Sequence, residues 1–284
     1  MLRPREGKAF RNAERKPQKT KRKVLPMKAN EIYESLKNHA PEVREPTCDG
    51  LIAGDPDKEV SKLAICFKLT AELIAKAAEA HFDMIVTHEP TFSQGDRKRN
   101  LNSIDQKKWD LLVSTGITVY RLHDHAHTEP DYIHTGFIRT LGLHIAHKYP
   151  RESLGICRYS FREKLTVRQL CQRIKETLDP NFVGIVGDPD LTAETVCLGL
   201  GGVGLEQISV LMEPGCDVFI TGETDELFAC EYVRDACYFG ERKAVILLGH
   251  CGAEYAGMRY LAECLNDTLL PTEYLHCGEV YLQV

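Results

Sequence analysis

The segment Tyr120-Arg121-Leu122-His123-Asp124-His125-Ala126-His127 sets three imidazoles and a carboxylate within five residues, directly after the apolar run Ile117-Thr118-Val119-Tyr120. In an extended chain His123, His125 and His127 point to one side, because side chains alternate along a strand. In a helical turn His123 and His127 still share a face at i,i+4. Either geometry crowds imidazoles that repel one another when charged, and a metal ion that takes their neutral lone pairs relieves the crowding. The competing reading is a solvated polar loop.

Other stretches offer partners. His88-Glu89 follows the apolar strand Met84-Ile85-Val86 and precedes Pro90. Adjacent side chains at such a turn can reach two different metals; the plain alternative is a strand-end histidine beside a solvated glutamate. Leu248-Gly249-His250-Cys251-Gly252-Ala253-Glu254 follows the strand Ala244–Leu248, and its glycines permit a turn into a helix that puts His250 and Glu254 on one face. A structural hydrogen-bonded pair is the alternative there. Glu223, Asp225 and Glu226 flank another helix start, where carboxylates are favoured in any case, so Glu223 and Glu226 rank as supporting residues. The candidate metal ligands are therefore His88, Glu89, His127, His250 and Glu254. His123 or His125 would add a ligand or move a proton catalytically. His39, His81, His134, His144, His147 and His276 have no such company and read as surface or core residues.

Mixed imidazole and carboxylate ligands suit zinc, iron, manganese or nickel better than calcium or magnesium. A neutral imidazole has one free lone pair and cannot bridge two cations. If two divalent ions bind, the bridge must be Glu254, Glu89 or a water, and a water between two metals loses its proton easily and becomes a nucleophile.

These residues need strands that end beside each other. Leu63–Phe67, Met84–Val86 and Ile117–Tyr120 read as strands, separated by a helix capped by Thr70 and another marked by Trp109, Leu112 and Val113. That βαβαβ alternation argues for an α/β domain with a largely parallel sheet. Residues 63–89 align without a gap on 197–223, and each segment continues through a helix to an apolar strand and an i,i+4 pair, His123/His127 in one and His250/Glu254 in the other. The expected architecture is two similar α/β halves, an internal duplication, with a dimetal site in the cleft at the carboxyl ends of their strands. Residues 29–150 and 196–284 would be the halves, and 151–195 a connector with a strand at Leu154–Tyr159, a helix capped by Thr166 and a further strand near 182–186. A first helix capped by Asn30, a turn-rich segment at 49–56 and a closing strand at Val280-Tyr281-Leu282 complete the expectation.

Residues 1–28 carry eleven Lys or Arg against two Glu and read as a disordered basic tail. Met27 has the look of a natural start. The net charge of −5 argues against a general nucleic-acid scaffold, leaving only weak contact through the tail. No apolar run approaches the roughly 20 residues needed to span a bilayer. The eleven cysteines are odd in number, scattered and without a Cys-x-x-Cys pair, which reads as reduced thiols in a cytoplasmic protein. Cys251, beside His250, is the cysteine nearest the chemistry.

Taken together, Asp49-Gly50-Leu51 with Gly54-Asp55-Pro56, Val86-Thr87-His88-Glu89-Pro90, His123 with His127, Ile220-Thr221-Gly222-Glu223 and Gly249-His250 with Glu254 resemble the Nif-three-like dinuclear-metal-centre hexamers, the GTP cyclohydrolase I type 2 homologues. The similarity covers roughly residues 30–284. The family usually has His-His-Pro where this chain has His88-Glu89-Pro90, and Asp where it has His127, so ligand capacity is kept while positions are exchanged. The resemblance implies two α/β halves around a dimetal site and a toroidal homohexamer with sites facing an inner cavity. It implies a hydrolase in which metal-bound hydroxide attacks a phosphoester or a nucleotide-like small molecule. The alternative is a non-catalytic metal-binding hexamer acting as regulator, adaptor or metal-trafficking protein, which a closed ligand set would favour.

Overall fold

The computed structural model describes residues 26–37, 43, 45–96, 101–150, 155–204 and 206–281. Most of the basic tail lies outside the described residues. The strands are β1 (Met27–Lys28), β2 (Gly50–Ala53), β3 (Glu59–Val60), β4 (Leu63–Cys66), β5 (Met84–Thr87), β6 (Thr118–Arg121), β7 (Ile145–Lys148), β8 (Ile156–Phe161), β9 (Gly184–Gly187), β10 (Val196–Gly199), β11 (Val218–Thr221), β12 (Ala244–Leu247) and β13 (Thr272–Tyr274). The helices are α1 (Ala29–Lys37), α2 (Ala71–Glu79), α3 (Ser103–Thr115), α4 (Tyr132–Thr140), α5 (Val167–Leu178), α6 (Glu206–Met212), α7 (Glu231–Tyr238) and α8 (His250–Thr268), with a π-helical turn, Glu226–Cys230, leading into α7.

The result is a mixed α/β molecule with two main sheets. One runs β13-β4-β5-β6-β2, parallel except for β2 at its edge; the other runs β7-β8-β10-β11-β12-β9, parallel only across β10-β11-β12. Short apolar strands without polar alternation are what two-sided burial demands. In β4, Leu63 and Ile65 face the large central core, whereas Ala64 and Cys66 face a second cluster with Leu73, Ile74 and Ala77 of α2 and Leu112 of α3. In β10, Val196 and Leu198 face the central core, while Cys197 joins Phe219, Val245, Leu211 of α6 and Val233 of α7. The central core also takes residues of α4, α5 and α8, so these helices lie between the sheets.

Several expectations hold. Thr70 caps α2 by accepting from Leu73 N–H, and Thr166 caps α5 in a full capping box with Gln169. Other elements differ. Asn30 lies inside the first turn of α1, where the Lys28 N–H donates to Glu31 Oε2 instead. The turn-rich stretch contains β2, an edge strand antiparallel to β6. No strand forms at Val280 or Tyr281, and residue 282 lies outside the described residues. The last strand is β13, which returns to the first sheet and pairs with β4. The strands β8 and β9 of the 151–195 region flank the parallel centre of the second sheet.

Helix α8 carries His250 and Glu254, and α4 sets its position. At their crossing a Cβ on Gly136 would lie 2.5 Å from Ala256 O, and one on Gly257 would lie 2.5 Å from Ile133 Cα. The neighbouring atoms are backbone and cannot move aside. Gly257→Val is expected to destabilise the protein by about 3 kcal/mol, the upper end of overpacking costs, measured as a lowered urea midpoint at unchanged slope. An unchanged midpoint would mean the helices do not meet through these glycines.

Candidate metal centre

The strand ends converge. His88 follows β5, His123 and His127 follow β6, His250 opens α8 after β12, and Glu254 lies one turn further along α8. After β6 the chain turns helically: the Ala126 and His127 N–H groups both donate to His123 O, so His123 and His127 meet as an i,i+4 pair rather than along a strand. Asp49 fixes that turn. Its Oδ1 accepts from the His123 and Asp124 N–H groups at 2.6 and 3.1 Å, and its Oδ2 accepts from the His125 N–H at 3.0 Å. The same carboxylate takes the His125 ring, Nδ1 to Oδ2 at 2.6 Å. His125 thus enters none of the described contacts of the cluster. Its ring is turned to Asp49 instead, a placement the extended-strand reading could not anticipate.

The rings of His88, His123 and His127 lie 4.5 to 5.0 Å apart between centroids. The His88 Nδ1–H donates to Leu122 O at 3.0 Å, which leaves its Nε2 lone pair facing Glu254 Oε2 at 3.4 Å. Neither of those two buried atoms has a hydrogen-bond partner, so the contact is electrostatic rather than a formed bond. Glu254 Oε2 is also 3.2 Å from His250 Nε2, and its Oε1 is 3.3 Å from His127 Nε2. Glu89 Oε1 approaches His250 Nε2 at 3.4 Å and His123 Nε2 at 3.7 Å. Behind the cluster, His250 Nδ1 donates to Glu223 Oε1 at 3.0 Å and His123 Nδ1 to Asp124 Oδ1 at 2.9 Å. Glu226 is exposed and has no contact with the cluster among the described interactions.

Three ligand triads within 4.8 Å can be drawn among the described residues: His88/His123/His127, His88/Glu89/Glu254 and, on the far side of His123, Cys48/His123/Asp124. Such groupings could hold metal ions, and the donor set fits. Glu254 is 1% exposed, a burial that costs a charged carboxylate several kcal/mol unless it is compensated. Burial alone would raise its carboxyl, but the facing imidazoles of His88, His127 and His250 hold it well below the usual range. For Glu89 burial also pushes upward, and His250 and His88 bring it down to about 2. Burial disfavours a charged His250, yet Glu254 and Glu89 push that ring up to about 11. His88 is raised against burial by Glu254. Burial and the neighbouring His88 lower His123. The raised His250 ring thus answers two carboxylates, the role that cations would take over with neutral rings.

Glycines let the second sheet close over the cluster. Gly201, at φ +89°, leaves room that a Cβ would take 2.4 Å from Glu254 Oε1, and a Cβ on Gly222 would lie 2.8 Å from His250 Cα. Sequence reasoning missed Gly201 and Gly202 as site residues, although Gly199-Leu200-Gly201-Gly202-Val203-Gly204 at a strand end was a usable signal. A cavity of about 500 Å³ opens here, lined by Glu89, His123, His127, His250, Glu254 and the 200–204 loop.

Residues 27–276 match the family described as Duf34/NIF3 (NGG1p interacting factor 3). The chain belongs to this family. The resemblance read from the motifs is borne out. Within the Duf34/NIF3 family, the chain is 26% identical over 254 residues to the GTP cyclohydrolase 1 type 2 homolog of Clostridium acetobutylicum, covering 86% of this chain and 92% of that one. It is 28% identical over 256 residues to the homolog of the same description from Methanocaldococcus jannaschii, covering 86% and 96%. Its fold matches reduced HcgD from M. jannaschii (TM-score 0.71, 23% identity, 89% and 99% covered) and a Bacillus cereus protein related to NIF3 (TM-score 0.71, 15% identity, 91% and 99% covered).

The charge balance sets a pH window for chelator-treated protein. The depressed Glu89 carboxyl contributes stability that is complete above its ordinary value of 4.5 and lost as pH falls toward about 2. The raised His250 contributes stability that is complete below its ordinary 6.5 and lost as pH rises toward about 11. Urea midpoints are expected to fall on acidification below 4.5, and less steeply in Glu89→Gln. Identical acid limbs in both proteins would contradict this assignment.

Proposed function

We propose that this chain holds a pair of divalent cations and uses them to hydrolyse a phosphoester or nucleotide-like small molecule. The observation that carries this reading is the buried, unbonded pair His88 Nε2 and Glu254 Oε2, two lone-pair atoms 3.4 Å apart. Polar groups buried without hydrogen bonds are costly, and a cation between them removes the cost. Glu254 is suited to bridge, because one oxygen faces His127 and the other faces His88 and His250. Glu89, His88, His127 and His250 supply the remaining ligands, and zinc, iron, manganese or nickel suits the donor set. When bound, such a pair of ions lowers the pKa of a shared water and polarises a substrate oxygen.

His123 does the proton work in this reading. Its Nδ1 is anchored on Asp124, and its Nε2 faces Glu89 at the cavity wall. Burial lowers the pKa of that ring, which favours the neutral form that can accept a proton. The cavity has the size of a small-ligand site. Two similar halves arising by duplication also belong to this reading. Thr87 Oγ1 donates to Glu89 O and Thr221 Oγ1 to Glu223 O at the equivalent positions of the two aligned segments, which supports it. A homohexamer and a cytoplasmic location are further parts of the proposal; no described helix is long and apolar enough to cross a membrane.

One observation favours the second reading, a non-catalytic regulator, adaptor or metal-trafficking protein. Every charged or imidazole side chain lining the 500 Å³ cavity is itself a member of the cluster, and the rest are Gly155, Leu200, Gly202, Val203 and Gly204. Among the described residues nothing else there orients an organic substrate.

Metal analysis of protein purified without chelators tests the proposal. Wild type is expected to carry bound metal, and Glu254→Ala and His127→Ala to lose it with unchanged circular dichroism. Full metal content in both variants would refute the site. Glu223→Ala, which frees the His250 ring, is expected to weaken metal affinity by roughly 10- to 100-fold. Phosphoester and nucleotide turnover that tracks metal content would support the hydrolase, and metal-loaded protein without turnover would support the trafficking reading.

A further inference from the structure

A second cavity, about 360 Å³, adjoins the first and shares Glu89 and His250 with it. Two cysteines form part of its wall. Cys251 is the second residue of α8, directly after His250, and Cys277 lies in the segment that follows β13. Their sulfurs are 3.8 Å apart, although 26 positions separate them in the chain. All eleven cysteines are free thiols. A disulfide holds its sulfurs about 2 Å apart, so closure asks each thiol for a small side-chain movement.

We propose that Cys251 and Cys277 form a reversible disulfide that narrows access to His250. The oxidant is a hydroperoxide. Cys277 is the more exposed thiol, and its thiolate attacks the terminal peroxide oxygen. The O–O bond breaks, the alcohol or water leaves, and Cys277 becomes a sulfenic acid. The Cys251 sulfur then attacks that sulfur, the S–S bond forms, and hydroxide departs with the thiol proton as water. Two thiols and one hydroperoxide give one disulfide, one water and one alcohol (a second water from hydrogen peroxide). The new bond ties the segment holding Cys277, Gly278 and Glu279 to the first turn of α8, across the 360 Å³ cavity that is one of the two approaches to His250. Pairing and access do not depend on the dimetal reading, since both can be followed with metal removed.

The test uses the full chain, chelator-treated and exposed to hydrogen peroxide. Expected are a peptide joining Cys251 to Cys277, loss of two alkylatable thiols out of eleven, and recovery of both with a thiol reductant. Hydroxyl-radical oxidation of the His250 ring, which does not need a neutral imidazole, read by peptide mass spectrometry, is expected to slow several-fold on disulfide formation in wild type and not in Cys277→Ser. Cys251→Ala serves as the same control should Cys277→Ser fail to fold. The pairing is overturned if both thiols stay alkylatable while other cysteines oxidise, or if either joins a different partner. A mapped disulfide with unchanged His250 reactivity overturns the control of access.

Discussion

A carboxylate withdrawn from water must find opposite charge, and in this protein that constraint falls on Glu254. The fold brings imidazoles from three strand ends to it. His127 meets one oxygen, and His88 and His250 meet the other. Two of the rings are held in turn from behind, His88 by Leu122 O and His250 by Glu223. Remove the carboxylate and these rings lose what draws them together; remove the rings and a buried negative charge stands alone, which is the costlier failure.

The two sheets serve that one side chain. Each contributes a parallel centre whose carboxyl ends point to the same place, the usual location of clefts in such sheets. Helix α8 delivers its first two turns to the site and packs its middle against α4 through glycines, with β13 following it back to the first sheet. Close packing is what gives the cluster its precision, because a helix seated on backbone has little freedom to slide. Cys251 of the thiol pair lies on the same first turn, so any change there is felt by a residue of the cluster.

Much of this was legible in the residue order because strands buried on both faces announce themselves as short apolar runs, and residues following such runs sit at sheet ends. His88, His127, His250 and Glu254, which the fold brings together, were singled out that way. The conformation of the histidine-rich segment was not. Its three N–H groups are gathered by Asp49, more than 70 positions earlier in the chain, and no local pattern reveals a hydrogen bond of that range. The same long-range bond takes His125 out of the cluster. Helix α4 escaped notice because Gly136 weakens its helical signature, and that glycine is there for α8. Strand β13 is three residues long and is defined by its partner β4 rather than by its own composition.

The wide spacing of the cluster along the chain has a kinetic consequence. In a small zinc-bound motif the ligands are near neighbours, so the ion can gather an unfolded chain around itself. Here the local pairs, His88/Glu89, His123/His127 and His250/Glu254, lie far apart in the chain, and joining His88 to Glu254 closes a loop of more than 160 residues, an entropic cost met only when both sheets have assembled. On the proposed reading an arriving ion would meet a finished molecule, acting on the rate of unfolding and leaving the rate of folding almost untouched.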